Sequence, residues 1–117
     1  MEFKRYCMII ELKEEFIEDY KNIHINAWPE LLRAEKDAGI KEELIWIYKN
    51  LSILYFECDD IDRVYKLLAD NEVEKKWNIV VSPWFKESPV LDGSDKVEVL
   101  EKVFDLNQQL QGFLNQF

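Results

Sequence analysis

Residues 4–12 read KRYCMIIEL, a short apolar run bounded by charged residues. A run of this length and composition predicts a β-strand. Apolar residues occur at both parities, because Met8 and Ile10 alternate with Cys7 and Ile9. Successive side chains of a strand point to opposite faces, so the sheet that contains this strand needs cover on both faces.

A helical pattern replaces the strand pattern from residue 14. One face of this predicted helix carries Phe16, Ile17, Tyr20, Ile23 and His24. Pro29 interrupts the pattern, and because proline is compatible only with the first turn of a helix, a second helix is predicted to begin there. Gly39 is expected to end it.

A hairpin is predicted next. Residues 43–48 and 51–57 are strand-like runs, and a tight Lys49-Asn50 turn joins them.

The rest of the chain adds two helical segments, a strand and a tail. Asp60 is the predicted cap of one helix, and Asn71 separates it from a second helical stretch. Residues 82–95, which contain two of the three prolines, are predicted to form a loop. Residues 97–106 are predicted to form the last strand, and residues 108–117 a short helical tail.

This β-α-β-β-α-β order is the ferredoxin-like arrangement of the α+β class. Helices cover one face of such a four-stranded sheet. The simplest cover for the other face is a second copy of the chain, which predicts a homodimer with the architecture of a dimeric α+β barrel. Residues 1–117 have the length of one domain and are interpreted as one.

Composition limits the classes of partner. Fifteen basic and 24 acidic residues give a formal net charge of -9, which disfavours nucleic acid and anionic membrane surfaces as partners.

No signal peptide or membrane span is recognised in the sequence. Cys7 and Cys58 lie far apart in apolar runs and are interpreted as reduced core cysteines, which predicts a cytoplasmic protein.

His24 is the only histidine, and it follows Tyr20 by four residues. On a helix this spacing places the imidazole and the phenol side by side, just before the break at Pro29. Histidine titrates near neutral pH and is the usual general acid or base. A buried, hydrogen-bonded histidine with no catalytic role is the alternative.

A carbohydrate site requires at least one aromatic plane for stacking. Trp77 lies in the polar stretch EKKWN and is the tryptophan that a core explains least. The acidic runs, Glu42-Glu43 among them, are interpreted as solvated faces or helix caps. No phosphate loop, nucleophile elbow or metal-ligand cluster is present in the sequence, so no metal and no cofactor are predicted.

The chain resembles the L-rhamnose mutarotase family. The most specific part of the resemblance is Tyr-x3-His-x3-Trp-Pro-Glu, from Tyr20 to Glu30, and it extends over most of the chain, with Ala38-Gly39-Ile40, Trp77 and the ending EKVFDL. The resemblance implies a dimeric α+β barrel and an isomerase that acts on C1 of a sugar. It implies catalytic and sugar-binding roles for Tyr20 and His24 and a sugar contact for Trp77.

Two positions differ from the pattern of that family. Asn78 stands where the family commonly has the second of two adjacent tryptophans, and Glu43 or a neighbour replaces a sugar-contacting tyrosine. Both are predicted to bind substrate. Related proteins act on L-fucose, so the expected substrate is a 6-deoxy-L-hexose such as L-rhamnose or L-fucose. Its anomers would exchange by general acid–base catalysis.

Two other functions are compatible with the sequence. The same fold hosts haem-related proteins and monooxygenases, in which His24 would be an axial ligand. The differences at Asn78 and Glu43 are also compatible with a sugar-binding module that lacks catalysis.

Overall fold

The computed structural model describes residues 3–86 and 98–115. Its strands are β1 (Lys4–Glu11), β2 (Ile40–Tyr48), β3 (Leu51–Cys58) and β4 (Glu98–Val99). Its helices are α1 (Ile17–Ile25), α2 (Pro29–Ala38), α3 (Ile61–Ala69), α4 (Glu72–Val81) and α5 (Leu106–Leu114). Single 3-10 turns cover Glu14–Phe16 and Ser82–Trp84.

The strands form one antiparallel sheet in the order β2-β3-β1-β4. β1 pairs with β3 along its whole length, from Lys4 opposite Cys58 to Glu11 opposite Leu51. β4 adds to the free edge of β1, where Val99 lies opposite Met8. This order and the intervening helices confirm the predicted ferredoxin-like α+β fold.

Helix ends follow the expected local chemistry. Pro29 begins α2, and Gly39 ends it. The φ of Gly39 is 112°, a backbone conformation that residues other than glycine rarely adopt. The Asp60 side chain caps α3 by accepting a hydrogen bond from the Arg63 backbone N–H. The Asn71 side chain caps α4 by accepting one from the Glu74 backbone N–H. No helix within residues 3–86 or 98–115 is long and apolar enough to span a membrane.

The predicted last strand is mostly wrong. Of the described residues 98–106 only Glu98 and Val99 form a strand that pairs with the sheet, and residues 100–105 have no regular secondary structure. Val103 and Phe104 are exposed, although the segment stays beside β1 through a hydrogen bond from the Leu100 N–H to the Cys7 carbonyl and an ion pair between Arg5 and Asp105. The helical tail begins earlier than predicted, at Leu106, because Asp105 caps it. Most of the predicted 82–95 loop and residue 97 lie outside the described residues.

The two faces of the sheet differ. The inner face packs against the helices and contributes the core residues Met8, Ile10, Leu12, Leu54, Phe56 and Cys58. The outer face of β2 carries Leu44, Trp46 and Tyr48, all of which are exposed. The prediction of apolar residues on both faces of the sheet is therefore confirmed.

A register shift in β2 decides which of its side chains face the core. Ile40 lies opposite Cys58, but Glu42 lies opposite the next residue, Glu57, so one extra residue is accommodated between them. Such a bulge reverses the alternation of side chains beyond it. Glu43 therefore lies opposite the buried Phe56 and turns to the inner face.

Candidate active site

A cavity of about 250 Å³ lies between the inner face of the sheet and helices α1, α2 and α4. It is close to the lower end of the roughly 300–1,000 Å³ range typical of ligand pockets, as suits a ligand the size of a monosaccharide. Its wall is largely apolar. All five of the predicted site residues line it, namely Tyr20, His24, Glu43, Trp77 and Asn78.

His24 is half-buried near the end of α1. Its Nδ1 lies 2.7 Å from the carbonyl oxygen of Tyr20, one helical turn earlier. A carbonyl only accepts, so Nδ1 carries the proton and Nε2 is left as the basic nitrogen. Burial lowers the pKa of His24, and the bond to the Tyr20 carbonyl offsets part of this effect. The imidazole is therefore neutral near pH 7 and able to accept a proton.

Tyr20 lies beside this imidazole, with ring centroids 4.2 Å apart. Its side chain is buried, and its hydroxyl is 2.7 Å from Ser52 Oγ on β3. Burial raises the pKa of Tyr20 to about 12, against the opposing effect of the Ser52 hydrogen bond and with a further contribution from Glu43. The phenol therefore stays protonated, and one of its hydrogen bonds is already committed to the sheet.

Trp77 is a core residue, contrary to the sequence-based interpretation. It is only 7% exposed and belongs to the apolar cluster below the sheet. Its ring makes edge-to-face contacts with His24 at 5.1 Å and with Trp28 at 5.2 Å. The polar neighbours of Trp77 do not indicate its environment, because on a helix Lys75 and Lys76 point away from the face that carries Trp77.

Asn78 follows Trp77 on α4 and is half-buried. Its amide lines the cavity and offers both a donor and an acceptor.

Glu43 belongs to a cluster of three carboxyl groups that sequence reasoning missed. Glu35 from α2 and Glu74 from α4 line the same cavity. Burial raises the pKa of both Glu35 and Glu43, and the charge of Glu43 raises that of Glu35 further. The two carboxyl groups are hydrogen-bonded to each other and share a proton. The interpretation of Glu43 as part of a solvated face is therefore wrong.

Glu74 is the most enclosed member of this cluster. It is 3% exposed, and its Oε2 has no hydrogen-bond partner among the described residues. Burial, and then the charge of Glu43, raise the pKa of Glu74 to about 7. Single glutamates on amphipathic helices usually face solvent, so the sequence contained no signal that separated Glu35 or Glu74 from their exposed neighbours.

The described residues contain no group of three or more His, Cys, Asp or Glu side chains arranged to hold a metal ion.

The fold and the cavity together define a ferredoxin-like α+β protein with a histidine-bearing site between sheet and helices. Tetracenomycin F2 cyclase from Streptomyces glaucescens, a type-II polyketide cyclase, has the same fold, with a TM-score of 0.56 at 14% identity over 87% of this chain and 95% of the cyclase. That likeness concerns the fold alone.

The particular family follows from closer matches. The family model for L-rhamnose mutarotase matches residues 5–106. The L-rhamnose mutarotase of Listeria monocytogenes is 31% identical over 88% of this chain and 98% of its own, and that of Bacillus subtilis is 29% identical over 89% and 99%. The crystal structure of the L-rhamnose mutarotase from Formosa agariphila gives a TM-score of 0.69 at 29% identity, over 87% of this chain and 97% of its own. The chain belongs to the L-rhamnose mutarotase family, which confirms the resemblance inferred from the sequence and its assignment to the isomerases.

Proposed function

We propose that this protein is an aldose mutarotase that interconverts the α and β anomers of a 6-deoxy-L-hexose, L-rhamnose or L-fucose. The observation that carries the proposal is the neutral His24 imidazole, whose Nδ1 is fixed by the Tyr20 carbonyl, in a cavity of monosaccharide size. The names of the relatives support L-rhamnose as the first sugar to test.

The reaction needs two proton transfers and no cofactor. His24 Nε2 removes the proton from the C1 hydroxyl while the ring oxygen gains a proton from the Tyr20 hydroxyl or from water. The bond between C1 and the ring oxygen breaks, and the open-chain aldehyde forms. Rotation about the C1–C2 bond presents the other face of the aldehyde, and the two transfers reverse as the ring closes. General acid–base catalysis of this kind contributes roughly 10² to 10⁴-fold.

The apolar walls are suited to a deoxy sugar. Trp77 and the aliphatic residues of the cavity can contact the C–H groups and the methyl group, while Glu43 and Asn78 can bind hydroxyl groups. Asn78 supplies an amide where a tryptophan is common in the family. We therefore expect L-fucose to rival L-rhamnose as a substrate.

Exchange NMR on equilibrated sugars tests the activity directly. The anomeric signals of L-rhamnose, L-fucose and D-glucose are measured with and without the protein. Faster exchange for one or both deoxy sugars supports the proposal, whereas equal rates for all three contradict a selective site. Binding without faster exchange would instead identify a sugar-binding module, and a shifted Soret band on addition of haemin would favour the haem-related alternative.

We also propose a homodimer that covers the outer face of the sheet. The register aligns Trp46, Ile53 and Ile9 across β2, β3 and β1, which makes an apolar row on that face. Trp46 is 55% exposed in the single chain, and a second copy is the simplest cover for the row.

We also propose that the protein is cytoplasmic. The free thiols of Cys7 and Cys58 support a reducing environment of this kind.

Light scattering at micromolar concentration tests the dimer. We expect a dimer mass for the parent and a monomer mass for Trp46→Glu, because a charge in the middle of the apolar row opposes its burial. Ile79→Glu is the matched control, since Ile79 is 73% exposed but lies on α4, away from this face. A monomer mass for the parent would contradict the proposal.

A further inference from the structure

The carboxyl cluster leaves one buried polar atom without a partner. Glu74 Oε2 is enclosed and makes no hydrogen bond with any described residue, and the Glu74 side chain lines the cavity that holds His24 and Tyr20. An unpaired carboxyl oxygen in a buried position costs about 1–3 kcal/mol or more relative to a paired one. Native structures rarely keep such an atom unless something else supplies its partner.

The surroundings of Glu74 do not supply that partner. None of the described residues that line the cavity is Lys or Arg, so no cation neutralises the cluster. Glu35 and Glu43 are paired with each other, and the Tyr20 hydroxyl is bonded to Ser52. The Asn78 amide lines the same cavity but makes no hydrogen bond with Glu74 Oε2, so a molecule in the cavity is left to supply a donor to this carboxyl group.

We propose that Glu74 is a substrate-binding residue whose carboxyl group accepts a hydrogen bond from a hydroxyl group of the bound sugar. This inference rests on the proposed function and extends it to a further residue of α4. Glu35 and Glu43 line the same cavity and lie close enough to Glu74 for their charges to interact. The cavity thus has a hydroxyl-binding side, formed by the three glutamates, in addition to the side formed by Tyr20, His24 and Trp77.

A hydrogen bond that forms only with ligand has a distinctive consequence. A carboxyl group that merely stabilises the fold makes the protein less stable when it is replaced. Glu74, in contrast, is unpaired in the free protein, so an apolar residue of similar size should leave the free protein equally stable or more stable. The same replacement should weaken sugar binding.

The test measures the dissociation constant for L-rhamnose by NMR titration and the melting temperature of each variant. Glu74→Leu removes the acceptor, and we expect at least tenfold weaker binding with an unchanged or higher melting temperature, since hydrogen bonds to charged groups contribute about 1.5–3 kcal/mol. Glu74→Gln keeps a neutral acceptor and should lose roughly fivefold, which provides a second folded variant if Glu74→Leu does not fold.

Glu72→Leu is the matched control. Glu72 lies on the same helix, but its side chain is 79% exposed and pairs with Lys75, so its replacement should leave the dissociation constant unchanged. Parental affinity in Glu74→Gln or in folded Glu74→Leu, with normal exchange by the parent, would overturn this inference alone. A parent protein that neither binds nor exchanges any sugar would overturn the proposed function as well.

Discussion

The two sides of the cavity differ in how their polar groups are satisfied. On one side, His24 and Tyr20 are bonded to the protein itself, to a backbone carbonyl and to Ser52. On the other, Glu35 and Glu43 share a proton, and Glu74 Oε2 has no hydrogen-bond partner in the part of the chain that the structure describes. The first side is preorganised in the free protein, which suits proton transfer. The second is incomplete until a ligand with hydroxyl donors enters.

Replacement of His24 should have the largest effect. We expect His24→Ala to reduce the rate of anomer exchange at least 100-fold, because the only neutral base on the preorganised side is removed. The melting temperature should change little, since His24 is half-buried and its hydrogen bond lies within its own helix.

Exchange NMR and thermal unfolding of His24→Ala separate catalysis from folding. Asn22→Ala, at an exposed position on the same helix, is the control and should behave as the parent. A folded His24→Ala protein with parental exchange would show that the histidine is only structural and would remove the contrast between the two sides.

On the carboxyl side of the cavity, Glu74 should make the free energy of unfolding depend on pH. The pKa of Glu74 is about 7 in the folded protein, above its ordinary value of 4.5. Between these values the folded state keeps a proton that the unfolded chain has released. The free energy of unfolding therefore falls as pH rises through this window, and the loss persists above it.

Glu74→Gln should abolish this part of the pH dependence. Relative to the parent, the variant should gain about 3 kcal/mol in the free energy of unfolding between about pH 4 and about pH 8. Urea unfolding at both pH values measures the gain, with Glu72→Gln as the exposed control. An equal change in the parent and in Glu74→Gln would mean that Glu74 is solvated and that the two sides do not differ in the way described.

Tyr20→Phe should have the smallest effect on rate. Its ring remains against His24, so we expect a loss of about tenfold, smaller than that of His24→Ala. The buried Ser52 hydroxyl loses its partner, which should lower the free energy of unfolding by about 1–3 kcal/mol.

The double variant Tyr20→Phe with Ser52→Ala sharpens this prediction. Removing both hydroxyls should recover part of the lost stability, because no buried group is left unpaired, but it should not recover the rate. Recovery of both would show that the Tyr20 hydroxyl acts only through its bond to the sheet.

Local patterns made the fold and one side of the site predictable. The helix ends depend on the backbone conformation of single residues or on hydrogen bonds to near neighbours in sequence, so they could be predicted from the sequence. These residues are Pro29, Gly39, Asp60 and Asn71. The second part of residues 97–106 could not be predicted in this way. Its apolar residues suit a strand, but whether a strand forms depends on regular backbone pairing with β1. That pairing ends after Val99 in the described part of the chain.

The sequence by itself determined that Tyr20 and His24 meet, because residues four apart on a helix share one face. Only the tertiary structure decided that Glu35, Glu43 and Glu74 meet, since they come from three elements. Glu43 reaches the cavity because a register shift in β2 reverses the alternation of its side chains, and Trp77 is buried because α4 packs that face on the sheet. Spacing fixes neighbours within a helix, whereas pairing register and packing fix which distant side chains share a cavity.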